Sequence, residues 1–348
     1  MKAVVMEAVG TADGLRWTDV PDSRPRRDEC VIRVEACGAC WHDVLVRSGV
    51  RTQGTEFPVI LGHEVVGEIV EIGDEVTEFA VGDRVVTVQR ERVCGACDEC
   101  RSGRETKCAR QRFLGDLGLN GGYAELAAIS EASLVKVPAS VTSPDVAIAA
   151  CVVGTQLNAL RDVAHLQIGQ SILITGAGGG VGLHAVQLAR SMGAYVVGLT
   201  SAASKADSIK QAGAHEVVVY GRGSDFSPAV RDATAGRGVD VVLENVGSAI
   251  FESSLRCLAP HGQIVLIGEI TQQPVTIQLQ DWRNRDLHLV VATSTSRRQL
   301  KDVLDLVALG LVTPVVDRTM PMCEAAEAHR LMEAGAVTGR LLLVPDAS

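Results

Sequence analysis

Apolar and polar positions change their rhythm near Cys151. Before it, short stretches alternate: Val31-Ile32-Arg33-Val34-Glu35, the segment from Gly67 to Gly73, and Asp83-Arg84-Val85-Val86-Thr87-Val88. A period of two puts successive side chains on opposite faces of a strand. These segments therefore read as half-buried β-strands, joined by glycine-rich turns and folded over into a barrel-like region. After Cys151, Ser171-Ile172-Leu173-Ile174-Thr175 is apolar without alternation, as a strand covered on both faces would be. A glycine cluster at 176–182 follows. An amphipathic helix then carries Leu183, Val186, Leu188 and Ala189 to a stop at Gly193. Further strands are expected at Tyr195–Leu199, Glu216–Tyr220, Asp240–Val246, Gln263–Gly268 and Leu287–Ala292, mostly separated by helices, with 221–238 as loop and short helix. Strand alternating with helix predicts an α/β fold with a parallel, doubly wound sheet. The tail adds a helix at Arg297–Leu309 and the apolar strand Arg340–Val344.

Length and charge narrow this picture. The chain has 348 residues, more than one core usually sustains, so two domains are expected. The net charge is −9 and no run of Lys or Arg stands out. Neither a nucleic acid nor an anionic membrane surface is therefore an expected partner. The N-terminus meets Glu7 too early for a secretory apolar segment, and no apolar run looks long enough to span a bilayer. The expected compartment is the cytoplasm. Ten cysteines in a reducing compartment point to metal rather than to disulfides.

Four of these cysteines, Cys94, Cys97, Cys100 and Cys108, form C-x2-C-x2-C-x7-C. Four thiolates close a tetrahedral zinc site and leave no position open for chemistry. Metal binding would then supply the folding energy of a lobe at about 90–112 that has little core of its own. An iron–sulfur cluster is the alternative that thiolates also satisfy. A second constellation comprises Cys37-Gly38-Ala39-Cys40-Trp41-His42-Asp43, then Gly62-His63-Glu64, then Cys151 before Gly154-Thr155. Three N/S ligands with one open position make a catalytic zinc site. The competing reading is buried cysteines and a core histidine.

The loop Gly176-Ala177-Gly178-Gly179-Gly180-Val181-Gly182 follows a buried strand and opens a helix. Glycine lets the backbone approach a pyrophosphate, and the helix N-terminus presents its free N–H groups. At the end of the next strand, Gly198-Leu199-Thr200-Ser201-Ala202-Ala203-Ser204-Lys205 contains no acid. Thr200, Ser201 and Lys205 suit the extra 2′-phosphate of NADP(H), which a carboxylate would repel. The alternative for Lys205 is an ordinary solvated helix residue.

Gly62-His63-Glu64 with Gly67, Gly73 and Val76 matches G-H-E-x2-G-x5-G-x2-V. With the cysteine motifs and the later nucleotide fold in the same order, the whole chain resembles the zinc-dependent medium-chain alcohol dehydrogenase family. The resemblance implies a GroES-like β-rich catalytic domain at 1–152 and 293–348, and a Rossmann cofactor domain at 153–292. It implies Cys40, His63 and Cys151 as catalytic zinc ligands, Asp43 as the carboxylate orienting His63, and Glu64 behind the metal. It also implies Ala177, Gly179 and Gly182 as the key loop positions, opened by Gly180 and Val181. Further cofactor contacts are expected at Thr155, Gly247, Gly268 and Arg340, the last toward the pyrophosphate. A homodimer or homotetramer is implied, with Leu287–Ala292 as a seam.

One departure concerns proton transfer. Where many relatives place Ser or Thr two residues after the zinc-binding cysteine, this chain has His42. It is a candidate proton donor or a pocket-shaping group. The leading expectation is zinc-assisted hydride transfer between NADP(H) and a small-molecule carbonyl or alcohol. The runner-up is NADPH-dependent reduction of an activated C=C or C=N bond, because Cys40-Trp41-His42-Asp43 resembles zinc-family acryloyl-CoA reductases. A non-catalytic cofactor-binding protein is a third reading, opposed by the intact ligand set.

Overall fold

A computed structural model describes residues 1–51, 55–116 and 119–346. The chain forms two compact units. One holds Met1–Gly154, Ser294–Gly310 and Val316–Ser348, and the other Thr155–Thr293 and Leu311–Val315. The assignment of Leu311–Val315 to the second unit corrects the expectation that all of 293–348 joins the first half. Gln187 grips Thr313 on both backbone polar groups, at 2.8 and 3.0 Å, and His184 Nε2 accepts from the Val315 N–H at 2.9 Å. These grips are polar, so no apolar pattern announced them.

In the first unit the strand Glu29–Ala39 organises the main sheet. It pairs with Val65–Ile72, Leu126–Ser130 and Arg340–Val344, all antiparallel. Its length of 11 residues lets it serve three partners. Cys30, Ile32 and Val34 turn into a core that also holds Leu61, Ile69, Ile129 and Leu341. The sheet continues outward through Arg84–Thr87 to Leu134–Lys136 on one side, and to Val316–Pro321 on the other. Gly67 faces Val34 beside a break in register, where a Cβ would run into the Arg33 carbonyl.

The second unit is a six-stranded parallel sheet. Its spatial order is Glu216–Val219, Tyr195–Thr200, Ser171–Ile174, Val239–Glu244, Leu258–Leu266, His288–Val291. This is the doubly wound dinucleotide-binding order, which reverses direction next to the first strand. Ser171–Ile174 and most of Val239–Glu244 are buried, as continuous Val/Ile/Leu runs dictate.

One helical run was not expected. Pro144–Val163 passes from a 3-10 turn into π- and α-helical geometry, and the π-turn Ala150–Gly154 carries Cys151. At 20 residues and a mean hydropathy of 1.2 it is long and apolar enough to cross a membrane, which corrects the reading that no apolar stretch reaches that length. It is 78% buried inside the protein, as a core helix is.

Gly67→Ala is expected to cost about 1–3 kcal/mol, because the added methyl must displace backbone where two strands pair. Urea unfolding monitored by far-UV circular dichroism measures the loss.

Candidate active site and metal centres

The first constellation is assembled locally by a helix start. Cys40 is the N-cap of the helix Trp41–Ser48, and the Asp43 carboxylate accepts the Cys40 backbone N–H at 2.9 Å. The C-x-x-D spacing is therefore a capping box, with the acid meeting the first turn's free N–H groups and its partial positive charge. Asp43 Oδ1 lies 3.1 Å from His63 Nδ1. With that nitrogen engaged, His63 Nε2 is the buried atom left over, and it has no hydrogen-bond partner.

The ligand atoms of Cys40, His63, Glu64 and Cys151 lie within 4.8 Å of one another. The Cys40 and Cys151 sulfurs are 3.9 Å apart. Tetrahedral bonds of about 2.3 Å require a sulfur separation of about 3.8 Å. An orphaned imidazole nitrogen beside two thiols at that spacing fits a zinc ion, with a Glu64 carboxylate oxygen as the fourth donor of the group. Cys37 faces elsewhere; its sulfur would meet a Cβ at Gly62.

Arg340 lies with these side chains. Its guanidinium is buried and forks onto Glu64, with Nη2 to Oε1 at 2.5 Å and Nε to Oε2 at 3.2 Å. Nη2 also donates to the sulfurs of Cys40 at 3.3 Å and Cys151 at 3.5 Å. The reason is register. Arg340 opens the strand whose Leu341 pairs with Ala39, which brings its side chain to Cys40, Glu64 and Cys151. Burial pushes the Glu64 carboxyl up to about 7 against the opposing pull of Arg340. The Cys151 hydrogen bond holds the Cys40 thiol well below its usual range, despite burial, with Arg340 adding to the effect.

His42 sits on the first turn of the same helix. Its ring lies 4.5 Å from Phe113 and 5.2 Å from His63. Its Nε2 is 3.4 Å from Asp116 Oδ2, an ion-pair separation without hydrogen-bond alignment, and Asp116 accepts from Thr55 Oγ1 at 2.8 Å. Trp41 Nε1 is buried without a partner. Sequence reasoning missed Asp116; an acid directly after the apolar Phe113-Leu114-Gly115 was its one signal. It also missed Tyr123 and His329, which no spacing links to Asp43.

The sulfurs of Cys94, Cys97, Cys100 and Cys108 form a second group within 4.8 Å. Cys94 and Cys100 sulfurs are 3.9 Å apart. Backbone N–H groups of Cys94 and Cys97 point at the Cys108 and Cys94 sulfurs, at 3.5 and 3.4 Å. Donors aimed at sulfur favour thiolates; backbone hydrogen bonds from Ala96 and Cys97 bring the Cys94 thiol down to about 6.

In the second unit, Gly179 caps the helix Gly180–Ser191, which Gly180, Val181 and Gly182 begin. A Cβ at Gly182 would strike the Gly176 carbonyl and the Ala177 backbone. A Cβ at Gly178 would strike the Lys205 side chain at 2.8 Å, so Lys205 lies along the loop. Ser201 is exposed, whereas Thr200 is buried and its hydroxyl accepts from Ala202 N at 3.1 Å. Thr155, which begins this unit, is buried. Gly247 has φ of +91° and packs on Glu269, and a Cβ at Gly268 would meet the Asn245 carbonyl. Asn245 Nδ2 donates to the Thr175 carbonyl at 2.9 Å, leaving its buried Oδ1 without a partner. An unpaired acceptor among bare glycine backbones at the carboxyl ends of the central strands suits a dinucleotide.

The chain is similar to known proteins over its full length. Residues 26–139 match the alcohol dehydrogenase GroES-like domain family, and residues 180–309 match the zinc-binding dehydrogenase family. It is 36% identical to an acryloyl-coenzyme A reductase of Metallosphaera sedula, covering 99% of each chain. It is 32% identical to an alcohol dehydrogenase of Geobacillus stearothermophilus, covering 99% of this chain and 100% of the other. The solved structure of AibC superposes with a TM-score of 0.93 at 42% identity, covering 100% of this chain and 96% of that one. The chain therefore belongs to the zinc-type medium-chain dehydrogenase/reductase family of oxidoreductases.

Proposed function

We propose that the chain reduces the activated C=C bond of an acyl thioester with NADPH. The observation that carries this reading is the His42–Asp116 pair at the position where an alcohol-oxidising relative carries a hydroxyl. Zinc at Cys40, His63 and Cys151 would supply Lewis-acid polarisation of a carbonyl oxygen, and NADPH would supply hydride. In balance, hydride adds to the β-carbon, a proton adds to the α-carbon, and NADP+ leaves. Protonation at carbon calls for an acid held apart from the carbonyl oxygen. A ring that lies 3.4 Å from the Asp116 carboxylate is placed to relay a proton. The His42 side chain keeps 13% of its surface accessible. The 36% identity to an acryloyl-coenzyme A reductase supports this ordering of the alternatives.

Carbonyl or alcohol turnover is the second reading. It is favoured by the complete Cys40, His63 and Cys151 set and by the similarity to an alcohol dehydrogenase. NADP(H) preference is supported by the acid-free strand end and by Lys205 along the glycine loop. The cytoplasm is supported by clustered thiols that must stay reduced to hold metal. A homodimer or homotetramer is supported by the edge strand His288–Val291, which leaves Leu289 and Val291 exposed.

An assay at 340 nm with an α,β-unsaturated acyl thioester is expected to consume NADPH at least tenfold faster than one with an aldehyde. The opposite ranking rejects the proposal. Lys205→Glu is expected to raise KM for NADPH about ten- to a hundredfold, the effect of losing a charge-assisted contact, with NADH little affected. Equal effects on the two cofactors reject the 2′-phosphate role. Elemental analysis is expected to find two zinc ions per chain, and one in Cys100→Ser, because a three-sulfur lobe no longer closes.

A further inference from the structure

Behind Asp43 a path of buried polar side chains continues that the proposed chemistry does not use. Asp43 Oδ2 accepts from the Tyr123 hydroxyl at 3.1 Å. The Tyr123 oxygen lies 3.4 Å from His329 Nε2, and Arg47 Nε lies 3.2 Å from His329 Nδ1. Tyr123 and His329 have no exposed surface and Arg47 has 2%. Arg47 stands in the last turn of the helix that Cys40 caps, while His329 stands on the helix Ala325–Glu333, far away in sequence. Arg47 is held by the Gly10 carbonyl at 2.7 Å and by the Glu333 carboxylate.

The direction of every hydrogen bond in this path follows from its far end. A guanidinium only donates, so His329 Nδ1 must accept. Burial drives the His329 imidazolium pKa down to about 4, leaving the ring neutral with its single proton on Nε2. That proton points at the Tyr123 oxygen. The phenol's own proton must then go to Asp43 Oδ2. Asp43 Oδ1 remains for a proton on His63 Nδ1, and the lone pair of His63 falls on Nε2, the nitrogen that lacks a partner. Reversing one bond would set two donors or two acceptors face to face.

We infer that Tyr123, oriented by His329 and Arg47, is a positioning residue for the metal. It holds Asp43 so that His63 keeps its proton on Nδ1 and presents Nε2 to the ion. The inference rests on reading Cys40, His63 and Cys151 as metal ligands. Loss of a group hydrogen-bonded directly to a ligand weakens metal binding about 10- to 100-fold. Tyr123 acts one bond further away, so its loss is expected to weaken binding about 3- to 10-fold.

The test compares the full-length chain with Tyr123→Phe, His329→Leu and the double variant. Zinc affinity of each site is measured by chelator competition, and the Co2+-substituted site is read by its ligand-field absorption. The four-cysteine lobe reports on folding within the same molecule. Tyr123→Phe is expected to weaken the Cys40–His63–Cys151 site about 3- to 10-fold and shift its Co2+ bands, with the lobe unchanged. His329→Leu is expected to do less, and the double variant no more than Tyr123→Phe alone, because His329 acts through Tyr123. Wild-type affinity and bands in Tyr123→Phe, with only a lowered Tm, make the residue merely structural and overturn the inference. Additive losses in the double variant overturn the order of the path. A wild-type chain that binds zinc in the lobe alone removes the metal reading itself, and wild type and variants then bind one ion alike.

Discussion

Asp43 is a carboxylate with no exposed surface, three residues into a helix, in contact with the backbone of Cys40, the ring of His63 and the hydroxyl of Tyr123. A buried carboxylate is tolerated only when its oxygens are engaged, and here three donors from three chain segments converge on one group. Burial works to raise its pKa, but the contact with the His63 ring outweighs it and holds the carboxyl below its ordinary range. The same contacts start the helix, hold Cys40 and His63 on one carboxylate, and select which imidazole nitrogen is left for a metal ion. Without this acid the helix start would lose its capping box and His63 the partner that orients its ring.

The charge around the second side of the site is balanced differently. The Cys40 thiol is held toward its thiolate beside the buried Glu64 carboxyl, and Arg340 is the cation that faces both and the Cys151 sulfur. Its own protonation is secured there, because the thiolate of Cys40 and the Glu64 carboxylate outweigh the cost of burial. The arginine comes from the last strand, which pairs with the strand leading into Cys40. The strand Arg340–Val344 therefore completes the buried group of side chains around Cys40 and Glu64. Breaking such a buried pair by removing one partner leaves an uncompensated charge.

In the second unit the determining constraint is steric. The loop at 176–182 and the strand ends at Gly247 and Gly268 bring bare backbone close to backbone, and an added Cβ at Gly182 or Gly268 would overlap a neighbouring carbonyl. Glu244 holds this region from below: its carboxylate accepts from Thr175 Oγ1 at 2.7 Å, from the N–H groups of Val246 and Gly247, and from Ser254 Oγ. A rigid, side-chain-free surface at the carboxyl ends of parallel strands is what a phosphate-linked cofactor requires.

The periodicity of apolar residues determined the strands, the parallel sheet and the glycine loop, because those patterns depend on neighbours in sequence. Motif spacing likewise marked the four-cysteine lobe, since a metal demands particular ligand types whatever the fold around them, whereas the set Cys40, His63 and Cys151 came from the resemblance to the family, because its members are far apart in sequence. Tertiary structure alone decided that Arg340 pairs with Glu64, that His42 faces Asp116, that Tyr123 and His329 stand behind Asp43, and that Leu311–Val315 joins the second unit. Each of these is a polar contact between segments far apart in the chain. Hydrogen bonds and ion pairs depend on the meeting of two specific atoms within about 3 Å. No local pattern of hydrophobic and polar residues records such a meeting.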